Sequence, residues 1–105
     1  MIVYRVNVLI EKSTEADWSK WMREHHISDV VKTGYFDHAA MFRNSEKDTE
    51  THAAYVFEYQ TDSMSRYLAY CENAAAELQK DHTSRYQGRF LASREILERV
   101  AVFNG

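Results

Sequence analysis

The chain has 105 residues, 45% of them hydrophobic and 13% aromatic, which suits one packed domain over residues 1–105 and argues against a disordered segment. A net charge of −3 offers no broad attraction to phosphate backbones or anionic membranes. Cys71 is the sole cysteine, so an internal disulfide and a cysteine-rich zinc site are excluded.

Met1–Glu11 reads as a strand. Ile2, Tyr4, Val6, Val8 and Ile10 alternate with Val3, Arg5, Asn7, Leu9 and Glu11, which is period two. Because MIVYRVNVLIEKS alternates, it is read as neither a signal peptide nor a membrane span, and a soluble cytoplasmic protein is expected. A helix opens at Ser13-Thr14, where Thr14 and Asp17 approximate a capping box. Trp18, Trp21, Met22 and His25 share one helical face, Val30 and Val31 continue it, and Gly34 stops it.

Tyr35–Arg43 reads as a second strand, NSEKDTE as a charged turn and Thr51–Gln60 as a third strand, so the pair suggests an antiparallel hairpin. Tyr55, Phe57 and Tyr59 share one face of that third strand. Asp62 or Ser63 is placed to cap a second helix with the stripe Met64, Leu68, Cys71, Ala75, Leu78, His82, Arg85. Gln87-Gly88 breaks it, and Arg89–Phe103 returns as a strand with a bend.

The order β-α-β-β-α-β gives an α+β, ferredoxin-like fold. Right-handed crossovers put both helices on one face of a four-stranded antiparallel sheet. The first strand shows Val3, Arg5, Asn7 and Leu9 on its other side, and the third and fourth strands are apolar on both sides. A sheet with one wet face alternates more cleanly, so a homodimer joined sheet to sheet is expected.

MIVYRVNVLI, WSKWMREHHISDVVKTGYF and DHTSRYQGRFLASREIL together resemble an uncharacterised family of short bacterial proteins carrying a domain of unknown function. That family is similar to the dimeric α+β-barrel proteins. The resemblance implies the dimeric barrel fold and no particular activity. The wider group includes cofactor-independent monooxygenases, isomerases, dye-decolourising and haem-degrading proteins, and stress-response proteins. A motif W-x-x-x-x-H-h-P-D-h, with h apolar, recurs in parts of it. Trp21 to Val30, WMREHHISDV, is similar to that motif, with Ser28 where proline is expected.

Adjacent helical residues point about 100° apart, so His25 and His26 cannot both face one small ligand. His25 shares the tryptophan face and is expected to point inward; His26 is expected nearer the rim. An imidazole there either moves a proton, lines a pocket or is structural. His25 is the best catalytic candidate, and Tyr4, Trp18, Trp21, His25 and Tyr35 are the expected ligand pocket. Glu24, His25, His26 and His82 have no metal-ligand spacing, so no metal and no cofactor is expected. Arg43, Arg85, Arg89 and Arg94 either meet an anionic ligand or pair with Glu58, Asp81 and Glu95. The spacing of Tyr55, Phe57 and Tyr59 resembles an RNA-stacking strand, but the basic and glycine residues of that signature are missing and nucleic acid is not an expected partner.

The expected function is a small homodimer that binds a small apolar or aromatic ligand or serves a structural role. The alternative is a cofactor-independent monooxygenase or isomerase acting on a small aromatic or polyketide-like molecule. An enclosed cavity above about 300 Å³ faced by His25 is the expected mark of ligand binding.

Overall fold

Alternation over the first residues produces strand β1, Ile2–Glu11, which lies in the middle of the sheet. The computed structural model describes all 105 residues. β2 (His38–Arg43), β3 (His52–Thr61) and β4 (Phe90–Glu98) complete the sheet in the order β2-β3-β1-β4, with every pairing antiparallel. Val6 lies opposite Phe57 of β3 and Arg94 of β4, which fixes the register. Two helices connect the strands, giving the β-α-β-β-α-β order of a ferredoxin-like fold. No helix is long and apolar enough to cross a membrane.

Each helix is interrupted near its middle. The first runs through α1 (Glu15–Trp21), a π-helical turn (Met22–His26) and α2 (Ile27–Lys32). The second runs through α3 (Met64–Tyr70), a π-helical turn (Cys71–Ala75) and α4 (Ala76–Tyr86). A π turn holds an extra residue, so it rotates the following side chains relative to an unbroken α-helix. This overturns part of the expected stripe on the second helix. Met64, Leu68, Cys71 and Arg85 are exposed, while Tyr70, Ala75, His82 and Tyr86 are buried.

Other details differ from the sequence expectation. Thr14 makes no side-chain cap; its hydroxyl accepts from Arg89 Nη1 at 3.1 Å instead. Ser63 does cap, accepting from the Arg66 amide at 3.3 Å. Gly34 and Gly88 end the two helices at φ +84° and +77°, where an L side chain is strained. Tyr35 and Phe36 belong to the loop after Gly34 rather than to β2. β4 stops at Glu98, and Val100, Val102 and Phe103 extend beyond it exposed.

The core lies between the helices and the inner sheet face. Trp18, Phe57, Ile10 and Val30 are fully buried there, and each such side chain is worth about 1.5–3 kcal/mol against exposure. Tyr55, Phe57 and Tyr59 face the helices, so the row that resembled an RNA-stacking strand is not on the open face. That open face is mixed. Arg5 sits at its centre between Glu58 (2.9 Å) and Glu95 (3.3 Å), flanked by apolar Val3, Leu9, Phe42, Val56, Leu91 and Leu97. Phe42 is 47% exposed and Leu91 64%, which leaves large apolar side chains in water.

Candidate functional site

Between helices and sheet lies a void of about 40 Å³. Its sheet side is mostly apolar, with Tyr4, Val6, Val8, Phe57 and Tyr59. Met22, His26 and Val30 come from the first helix, and Tyr70, Leu78, Gln79 and His82 from the second. Phe90, Ala92 and Arg94 of the edge strand β4 close the remaining side. The space has room for a few water molecules, far short of the roughly 300 Å³ typical of a small-molecule pocket, and His25 is not in its lining, so the expected mark of ligand binding is not met. A larger hollow of about 530 Å³ lies on the open sheet face against Asn7, Leu9, Leu91 and Ser93, but no histidine or carboxylate lines it.

His82 is held by an unusual partner. Trp18 Nε1 donates to His82 Nε2 at 2.9 Å within the core. An indole N–H only donates, so this ring nitrogen must accept and the imidazole is neutral, with its proton on Nδ1. Protonation would set two donors against each other. Burial first, then the nearby His26 and Arg94, lower the His82 pKa to about 4. The ring also packs edge-on against Phe90, with centroids 4.4 Å apart.

His26 stands beside it, the two ring centroids 5.6 Å apart. The Trp21 ring lies at 5.3 Å on another side. His26 Nδ1 is buried and has no hydrogen-bond partner in the chain. Leaving such a group unpaired costs on the order of 1–3 kcal/mol. Burial lowers the His26 pKa, with Asp81 and Asp29 partly opposing it. Two neutral imidazoles therefore share the void. One has a fixed tautomer and the other a free nitrogen that is able to accept a proton or a hydrogen bond.

The structure corrects the sequence reading at this point. His25 is exposed and does not line the void; His26, expected at the rim, takes the inward place. The reason is the π turn over Met22–His26, which an unbroken α-helical projection does not contain. One signal had pointed to the right residue: in Trp21 to Val30 the motif histidine falls on His26. Of the other expected pocket residues, Tyr4 lines the void. Trp18 and Trp21 are buried behind it, holding His82 and His26. Tyr35 packs away from it against Tyr70, its hydroxyl accepting from Asn73 at 3.2 Å.

The arginines also sort themselves. Arg43 forms a paired bond to Asp48, both contacts at 2.7 Å, within the β2–β3 hairpin. Arg85 lies over the Trp21 ring at 5.2 Å, and Arg89 bonds Thr14. Arg94 Nε donates to the Tyr4 hydroxyl at 3.0 Å beside the void. Glu58 and Glu95, expected as partners for these arginines, are bound instead to Arg5 on the opposite face.

A family model for a domain of unknown function, DUF4286, matches residues 1–100. The chain belongs to the DUF4286 family. Solved structures share the fold of this DUF4286 chain at low identity. An uncharacterized NIPSNAP domain protein from Burkholderia xenovorans is 19% identical, with all of both chains covered and a TM-score of 0.72. A dimeric ferredoxin-like protein from an uncultured marine organism is 13% identical, with all of both chains covered and a TM-score of 0.71. SnoaB, a cofactor-independent oxygenase from Streptomyces nogalater, is 12% identical, with 99% of this chain and 98% of that chain covered and a TM-score of 0.72. No curated protein matches the chain.

Proposed function

We propose that this DUF4286 protein is a cytoplasmic homodimer that binds a small aromatic or apolar molecule between its helices and its sheet. One observation carries the reading: a largely apolar void is lined by His26, whose buried Nδ1 has no partner in the chain, and by the neutral His82. Buried polar atoms are normally satisfied, and a convergent unsatisfied group in an apolar recess suits a ligand or an ordered water. A void of about 40 Å³ is too small for an aromatic ring, so such a guest needs the site to widen. The β4 side suits that movement, because Leu91 to Ile96 on this edge strand are exposed. Sheet-to-sheet pairing would cover Phe42, Val56, Leu91 and Leu97, and the dimeric ferredoxin-like neighbour supports it at the level of fold. Nucleic acid is no part of this reading, since the net charge is −3.

Native mass spectrometry of gently purified protein tests this proposal. The expected spectrum shows twice the protomer mass with a retained small molecule, lost from the His26→Phe variant, which fills the recess. A dimer with nothing retained, and no change in the intrinsic fluorescence of Trp18 and Trp21 with any aromatic probe, would leave only an assembly role.

A second reading is a cofactor-independent monooxygenase or isomerase, favoured by an imidazole with an unpartnered nitrogen, His26, in the lining of the void. His26 would take a proton from an activated C–H of a phenolic or polyketide-like substrate. In the oxygenase case a CH2 becomes C=O and O2 leaves one oxygen as water, with the substrate supplying all four electrons. Oxygen uptake with an oxidisable polyphenol, abolished by His26→Ala, is the expected result. Equal uptake by the variant rules it out.

A further inference from the structure

Arg94 is the only permanently charged side chain lining the void. The Nε of Arg94 is committed to the Tyr4 hydroxyl at 3.0 Å, but no carboxylate pairs with its guanidinium. The nearest candidates in sequence pattern, Glu58 and Glu95, are held by Arg5 across the sheet. A guanidinium carries five donors in a planar fork, so four remain for water or a guest. Tyr4, accepting from Arg94, still has its own proton to give, and Gln79 lies close to the same hydroxyl.

Position adds to this. β4 is an edge strand and Arg94 is exposed along it, yet it projects on the inner side, in register with Val6. Arg94 and the Tyr4 hydroxyl therefore make part of the recess lining cationic and hydrogen-bonding, while Val6, Val8, Phe57 and Phe90 are apolar. The two imidazoles that also line it are neutral and bring no competing charge. The positive field of Arg94 also reaches them, helping to lower the pKa of both His26 and His82.

We propose that Arg94 and Tyr4 form an anion-receiving mouth, and that the ligand is an aromatic acid: a flat apolar ring carrying a carboxylate or an ionised phenol or enol. This rests on the ligand-binding reading above and specifies the chemical class it takes. The ring enters the apolar recess, and the anion meets the free guanidinium edge and the Tyr4 O–H. A neutral analogue of the same shape keeps the ring contacts and loses the charge-assisted bonds.

Equilibrium dialysis at pH 7.5 with 1-naphthoate and its neutral counterpart 1-naphthamide tests this. The wild-type chain is expected to prefer naphthoate by about tenfold or more, the size of a charge-assisted bond. Arg94→Met should bring the two affinities together, and Arg94→Lys should keep part of the preference. Circular dichroism and thermal melting of each variant confirm that the fold survives. Equal wild-type affinities, or a preference that persists in Arg94→Met, overturn the anion-receiving mouth while leaving ligand binding intact. Failure of both probes to bind at millimolar concentration overturns the ligand-binding reading and this inference with it.

Discussion

Acidification should act on this protein through His82 before it acts on the carboxylates. The folded-state pKa is lowered to about 4, against roughly 6.5 for a free imidazole. The unfolded chain then binds more protons than the folded one between those two values, so stability rises with pH across that window. The contribution is complete above pH 6.5, fades as pH falls, and is gone below 4. From pH 7.5 to 4.5 the shift amounts to roughly 2.5 kcal/mol, and on the order of 2 kcal/mol after allowance for partial solvent screening. Asp48, held far below the usual carboxylate range first by Arg43, adds nothing in this interval because its loss comes at lower pH. Urea unfolding followed through the buried Trp18 and Trp21 reads the effect at fixed protein concentration, since the proposed dimerisation would couple stability to concentration. His82→Gln is the control, because its amide oxygen still accepts from Trp18 while its charge cannot change. The wild type should lose on the order of 2 kcal/mol more than the variant over the interval. Parallel pH curves for the two proteins would show that His82 is not the neutral, indole-bound imidazole described here.

Three further outcomes follow from the same geometry. Trp18→Phe leaves His82 Nε2 without its donor and a gap in the core, and should cost at least about 2 kcal/mol in the same urea assay; a cost under about 0.5 kcal/mol contradicts the buried bond. Gly34→Ala meets no atom within 4 Å but must hold φ near +84°, so it should cost about 1 kcal/mol; an unchanged melting temperature would mean the helix end relaxes freely. Val56→Asp puts a charge on the open sheet face, and sedimentation velocity should show the proposed dimer in the wild type and a monomer in the variant; a variant as dimeric as the wild type places the interface elsewhere.

The element order was written in the chain because short-range patterns carry it. Ile2, Tyr4, Val6, Val8 and Ile10 recur at every second position, a period that fits a strand with these residues on its buried face. Gly34 and Gly88 mark helix ends because a left-handed backbone favours glycine. The side of the sheet on which each residue lies was equally legible, since a period-two pattern assigns it, though the open face proved mixed around Arg5, Glu58 and Glu95. The inward histidine was not. Helical projection assumes 3.6 residues per turn, and the π turns at Met22–His26 and Cys71–Ala75 break that assumption in both helices. The added residue in the first turn goes with His26 standing against His82 and His25 turned to solvent. Local sequence has no strong signal for such a turn. The meeting of Trp18 with His82, 64 positions apart, and of Tyr4 with Arg94, 90 apart, exists only once the helices lie on the sheet. The residue types at the site thus belong to the sequence, while their convergence belongs to packing.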